Sequence, residues 1–202
     1  MALAGFLKDD IEVEVKVKIS DKAKAKEILQ KVGSHVKTVR QVDTYFVPSH
    51  RDFFEKLPAK EFFRIRVQPD NSQIAYHKVC SQGEKSEHSE EYEVKIDEVE
   101  RMFSILEHLN FKKSCVIDKT REYYNCGEFE VVLDEVVGLG TFIEVEVISS
   151  TKEVAITKDD CLKFLDDNNI EYGETYITSS YPELMIEHER QIWWVLWNLE
   201  DW

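Results

Sequence analysis

Residues 11–19, IEVEVKVKI, alternate without a break. Ile11, Val13, Val15, Val17 and Ile19 fall on one side of an extended chain; Glu12, Glu14, Lys16 and Lys18 fall on the other. Period two with β-branched residues predicts a strand with one apolar and one charged face. Downstream, Ser20 or Asp21 can cap a helix over 22–33 that ends at Gly33, with Ala23, Ala25, Ile28, Leu29 and Val32 as its apolar side. Residues 37–47 read as a strand, with breaks near Pro48 and at Leu57-Pro58. Residues 61–68 and 73–80 read as a hairpin about Asp70-Asn71, and 81–89 as a loop.

The design then repeats. A strand over 90–96 (EEYEVKI) leads to a helix over 98–109, entered through a capping box of Asp97 and Glu100. Strands follow at 114–125, 128–135 and 141–148, with turns at Cys126-Gly127 and Gly138–Gly140. The pattern strand-helix-strand-strand-strand is thus used twice. Helices are predicted over 158–168 and 182–200, the last ending in the apolar run IWWVLWNLEDW.

Composition bounds the function. The chain has 202 residues, 43% hydrophobic and 33% charged, which suits one soluble domain with an appendage. A net charge of −14 opposes nucleic-acid binding. The cysteines Cys80, Cys115, Cys126 and Cys161 form no CxxC pair, so reduced thiols in a cytoplasmic setting are expected. No transmembrane segment and no signal peptide are expected. The histidines His35, His50, His77, His88, His108 and His188 lack metal-ligand spacing and read as structural or surface groups. Tyr45 and Phe46 read as core aromatics.

The charged faces of the strands decide more when taken together. An antiparallel sheet ordinarily turns its polar face to water. Here nearly every strand has a charged face, and about eight strands suffice to close a barrel. Helices then bury their apolar stripes on the outer strand faces, and the charges turn inward. The expected fold is α+β: a closed, mostly antiparallel eight-stranded β-barrel with a charged lumen and helices packed outside. A lumen of mixed acids and bases suits metal ions together with phosphates.

Glu12-x-Glu14-x-Lys16 resembles the ExExK signature of the CYTH superfamily, the triphosphate tunnel metalloenzymes. The resemblance extends through Gln41-x-Asp43-x-Tyr45-Phe46, Arg64-x-Arg66, Lys78, Lys119-x-Arg121, Leu133-Asp134 and Gly138-Leu139-Gly140-x-Phe142-x-Glu144-x-Glu146. It covers about residues 10–187, and order and spacing are similar to the class IV adenylate cyclases and thiamine triphosphatase-like proteins. It implies Mg²⁺ or Mn²⁺ held by Glu12, Glu14 and Glu144, with Asp134 and Glu146 as further ligands. It implies a triphosphate gripped by Lys16, Arg64, Arg66, Lys78, Lys119 and Arg121, joined by Lys18. Glu12, Glu14, Lys16, Asp134 and Glu144 are then the expected catalytic set. Glu91 would support the basic residues; Ser89 departs from an arginine common in relatives.

The function expected is metal-dependent hydrolysis of inorganic triphosphate, thiamine triphosphate or a nucleoside triphosphate. Alternatives are conversion of ATP to cyclic AMP and pyrophosphate, and a polyphosphate- or nucleotide-binding module without turnover. Glu14→Gln and Arg66→Ala are expected to lower turnover at little cost in stability. The expected domains are a tunnel domain over 1–187 and a Trp-rich helical tail over 188–202. Trp193, Trp194, Trp197 and Trp202 make that tail apolar around much of a helix. Packing on its own barrel or in a homodimer would bury it.

Overall fold

The computed structural model describes residues 12–81, 87–148, 157–176 and 179–199. Its first half runs β1 (Glu12–Ile19), α1 (Lys22–Val32), β2 (Ser34–Val47), β3 (Glu61–Val67) and β4 (Gln73–Ser81). The second runs β5 (Glu87–Lys95), α2 (Val99–His108), β6 (Lys112–Cys126), β7 (Phe129–Val136) and β8 (Gly140–Ile148). Then come α3 (Lys158–Asp167) and α4 (Tyr181–Leu199). The twofold use of one pattern is therefore present. All ladders are antiparallel, in the order β1-β8-β7-β6-β2-β3-β4-β5. The halves meet at the long β2–β6 pair, and each lends its first strand to the far edge of the other's meander: β1 pairs with β8, and β5 with β4.

This is an eight-stranded antiparallel sheet of α+β class, and among the described residues no hydrogen-bonded ladder closes it into a ring. The order ends on β1 and β5, which share no ladder. The outer flank of β1 already has partners. Lys18 N donates to Glu174 O (2.9 Å), Gly173 N to Lys18 O (2.9 Å) and Tyr176 N to Lys16 O (2.7 Å). The segment 173–176 thus occupies the backbone groups that a closing strand would use at Lys16 and Lys18.

Local chemistry explains the helix ends. Asp21 caps α1, accepting from Lys24 N at 2.9 Å. Gly33 follows α1 in extended conformation; its role is close approach, since a Cβ there would lie 2.4 Å from Cys126 Sγ and 2.7 Å from Asn125 O. The capping box expected at Asp97 is not made: Glu98 is the cap of α2 and has no side-chain cap bond. A capping box does form at Thr157 and Asp160, which start α3.

Three buried clusters hold the molecule. On the convex side, Val15, Val17 and Ile19 of β1 join Leu133, Ile143 and Val145 under Leu29 of α1 and Cys161 and Leu165 of α3. Also convex, Phe46, Ile65, Phe63 and Ile74 pack against Leu106, Met102 and Phe103 of α2. The third cluster departs from the expectation of helices outside. Tyr181, Met185 and Ile186 of α4 pack on Tyr45, Cys115, Ile117, Val136 and Phe142. Register places those strand residues on the face that carries Asp43, Lys119 and Asp134. One end of that face is apolar, so α4 buries its stripe there and stops that end. No helix among the described residues is long and apolar enough to cross a membrane. Cys115, Cys126 and Cys161 are buried, and none of them forms a disulfide among the described residues.

Candidate active site

Residues directly opposite in an antiparallel ladder share a face. On β1, Glu14 lies opposite Glu146 and Lys16 opposite Glu144. Arg121 of β6 lies opposite Asp134 of β7, and Asp43 of β2 opposite Arg66 of β3. These pairings bring Glu14, Lys16, Lys18, Arg64, Arg66, Lys119, Arg121, Asp134, Glu144 and Glu146 onto one face. The side chain of Glu12 lies outside what the structure describes; its backbone pairs with Ile148.

The centre of the face is buried and fully charged. Asp134 is 0% exposed, Asp43 1%, Lys119 3%, Lys16 7% and Glu144 8%. Arg121 donates from Nε to Asp134 Oδ1 (2.8 Å) and from Nη2 to Asp134 Oδ2 and Glu144 Oε2, both 2.5 Å. Lys16 Nζ lies 3.2 Å from Glu144 and 3.6 Å from Glu14. Lys119 Nζ lies 3.7 Å from Asp134.

These contacts set the protonation states. Burial opposes the charged form of Glu144, but Arg121, Lys16 and Lys119 outweigh it and hold the carboxyl well below its usual range. Burial and then Arg121 push Lys119 down to about 8. Lys16 is also penalised by burial, yet Glu144 and Glu14 raise it on balance. Glu14 is 44% exposed but walled by neighbouring atoms; desolvation, then the adjacent Glu144, raises its pKa. An acidic row sharpens that repulsion: Glu146 lies opposite both Glu14 and Glu130. Like charges directly opposite are destabilising unless something neutralises them. Carboxylate oxygens are the ligand type that hard Mg²⁺ or Mn²⁺ takes, so these residue types are compatible with such an ion; among the described residues, the group whose ligand atoms already stand within 4.8 Å of one another is His77, Glu91 and Glu93.

The structure adds residues not expected from sequence. Asp43 accepts two 2.7 Å hydrogen bonds from Arg66, Nε to Oδ1 and Nη2 to Oδ2. Tyr181, the first residue of α4, donates from its hydroxyl to Asp134 Oδ2 at 2.8 Å. Its ring lies 4.6 Å from Lys16 Nζ and 4.9 Å from Lys119 Nζ. Glu183 anchors this turn: it accepts from Ser180 N (2.6 Å), Ser180 Oγ (2.7 Å) and Ala59 N (2.6 Å). That ties α4 to the loop before β3.

Lys78 stands apart from the set. It lies opposite Glu61 on β3 and Glu90 on β5, on the convex side, whereas Arg64 lies opposite Ala75. The concave position next along β4 is His77. His77 Nε2 lies 2.7 Å from Glu91 Oε1, and this contact brings Glu91 down to about 2. Glu93 is raised by desolvation and by Glu91 beside it. Arg64 Nη2 donates to Glu93 Oε1 at 3.2 Å.

Residues 10–181 match the CYTH domain model. A Methanocaldococcus jannaschii protein named "Putative adenylate cyclase MJ0240" is 39% identical over 86% of this chain and 98% of its own length. The structure of PH1819 from Pyrococcus horikoshii superposes with a TM-score of 0.68 at 29% identity, covering 88% of this chain and 99% of that one. The Hippeastrum protein HpAC1, reported to show a dominant triphosphatase activity, shares the fold: TM-score 0.61, 21% identity, 85% of this chain and 92% of that one. The face described above lies within the matched region, and the chain belongs to the CYTH domain family.

Proposed function

We propose that the chain is a metal-dependent phosphoanhydride hydrolase acting on a triphosphate. The triphosphate is inorganic, or carried by thiamine or a nucleoside. The observation that carries this reading is the central cluster: Lys16, Lys119 and Arg121 interleaved with Asp134 and Glu144, nearly all buried on one concave face. Arg64 and Arg66 extend the basic track across β3. In this reading the sheet walls a tunnel, and the triphosphate lies along the track.

Each side chain then has a task. Lys16, Lys119, Arg121, Arg64 and Arg66 grip phosphate oxygens, with Lys18 at the rim. Asp134 and Asp43 are positioning residues, because their oxygens are engaged by Arg121, Tyr181 and Arg66. Glu14, Glu144 and Glu146, with Glu12 next along β1, would hold Mg²⁺ or Mn²⁺. The cation, when bound, neutralises phosphate charge and lowers the barrier to displacement. Lys78 has no task here, since it faces the other way.

Cyclisation of ATP is the second reading, favoured by the name of the Methanocaldococcus jannaschii relative. Hydrolysis is preferred because the apolar end of the face is occupied by the protein's own Tyr181, Met185 and Phe142, and no adenine pocket is evident in the sequence. The shared fold of HpAC1 is compatible with triphosphatase chemistry. Incubation with triphosphate, thiamine triphosphate or ATP and Mg²⁺ or Mn²⁺ tests the proposal. Orthophosphate is the expected product; cyclic AMP with pyrophosphate would favour the second reading. Tight binding without product would make the chain a binding module.

A further inference from the structure

His77, Glu91 and Glu93 meet at the β4–β5 end of the concave face. Register puts His77 opposite Glu91 and Ala75 opposite Glu93, so all three project the same way. One ligand atom from each lies within 4.8 Å of the other two. Ligands bound at about 2.0–2.2 Å from a shared ion stand at most ~4 Å apart, so small side-chain rotations complete the geometry. The carboxylates are also oriented from behind. Glu93 Oε1 accepts from Gln73 Nε2 at 2.7 Å and from Arg64 Nη2 at 3.2 Å, the kind of outer support that metal-ligating carboxylates have.

We propose that His77, Glu91 and Glu93 form a binding site for a divalent transition-series cation, Zn²⁺ ahead of Mn²⁺. It is distinct from the carboxylates of β1 and β8, which lie at the other end of the strand order. The ligand set gives the selectivity. An imidazole nitrogen suits Zn²⁺ and Mn²⁺ and is a poor exchange for Mg²⁺, which prefers oxygen. Three protein ligands leave a fourth position of a tetrahedral ion open. Arg64 beside it makes an anionic oxygen the fitting occupant of that position.

The inference does not rest on the triphosphate reading, and its test uses no substrate. The full chain is titrated with Zn²⁺ by calorimetry in excess Mg²⁺, which occupies the all-oxygen carboxylates. One Zn²⁺ per chain is expected, weakened on the order of tenfold or more by His77→Gln and by Glu91→Gln and retained in Glu14→Gln. Circular dichroism checks that each variant is folded. A measurement on the unaltered chain stands beside these: Mn²⁺ at substoichiometric amounts should broaden the ring resonances of His77 before those of His35, His50 and His108. Zn²⁺ affinity unchanged in His77→Gln, or equal broadening of all the histidines, overturns the proposal.

Discussion

Asp43 holds Arg66 at two points, with both hydrogen bonds at 2.7 Å, and is itself 1% exposed. Burial penalises its charge, and Arg66 more than repays this, so its pKa falls below the usual carboxylate range. Arg66 is therefore part of the folded structure as well as of the proposed ligand track. Reading the charged face from sequence assigns such residues to the ligand alone. Arg66→Ala should instead leave a buried, unpaired carboxylate and destabilise by about 3 kcal/mol, lowering Tm by roughly 6–12 °C. Adding Asp43→Asn should recover much of that loss without restoring activity. Differential scanning calorimetry of both variants checks this.

Glu14→Gln should behave in the opposite way. Burial, then its neighbour Glu144, makes its charge unfavourable. Because its folded pKa is raised, the ionised form costs stability at neutral pH, and the cost disappears as pH falls. The variant should hold Tm at pH 7 at or slightly above that of the parent. Mg²⁺ affinity should fall about tenfold or more, read by calorimetry. A clear drop in Tm would show that Glu14 is a structural partner of Lys16.

Lys119 should make anion binding pH-dependent. Its pKa of about 8 lies below the ordinary lysine value of 10.5. Below pH 8 it is charged and, in the proposed reading, available to grip phosphate; above pH 8 it is neutral and would have to take up a proton to bind. Triphosphate affinity should then fall by up to about tenfold per pH unit above 8. The linked stability has its own sign. The unfolded state binds the extra proton between pH 8 and 10.5, so this residue adds stability as pH rises through that window. Lys119→Arg, permanently charged, should flatten the affinity profile.

Tyr181→Phe should lower kcat more than it lowers stability. The hydroxyl contributes one bond to Asp134, about 1–2 kcal/mol, while the ring still packs on Phe142 at 5.2 Å. A roughly tenfold fall in kcat/KM with Tm within a few degrees is expected. No change in either would remove Tyr181 from the site.

Glu183→Ala should act through the fold. It strips a partner from the buried amide of Ala59 and from Ser180, costing about 2–3 kcal/mol. Protease cleavage within 51–60 should then appear before cleavage elsewhere.

Much of this was legible in the alternation of the strands. The faces of β1, β3, β6 and β8 follow from period two, and Glu14, Arg66, Arg121 and Glu144 share a side as that pattern requires. What alternation does not carry is phase from one strand to the next. Arg66 lies opposite Gln73, and a slip of one residue across the 68–72 turn exchanges His77 with Lys78. That is why Lys78 was expected with the arginines and His77 was not. The roles of Asp43 and Tyr181 do not follow from alternation for another reason: their partners stand 23 and 47 residues away, and only the fold brings them close. The contact of residues 173–176 with β1 was not legible either, because that segment has no strand pattern.

That short segment has a consequence for how copies of the chain behave. A bare strand flank is a template on which another molecule can polymerise. Gly173, Glu174 and Tyr176 seal that flank at Lys16 and Lys18, beside the most charged part of the molecule. Loosening them would offer that flank to a second molecule, and solubility would be lost before the charged face was disturbed.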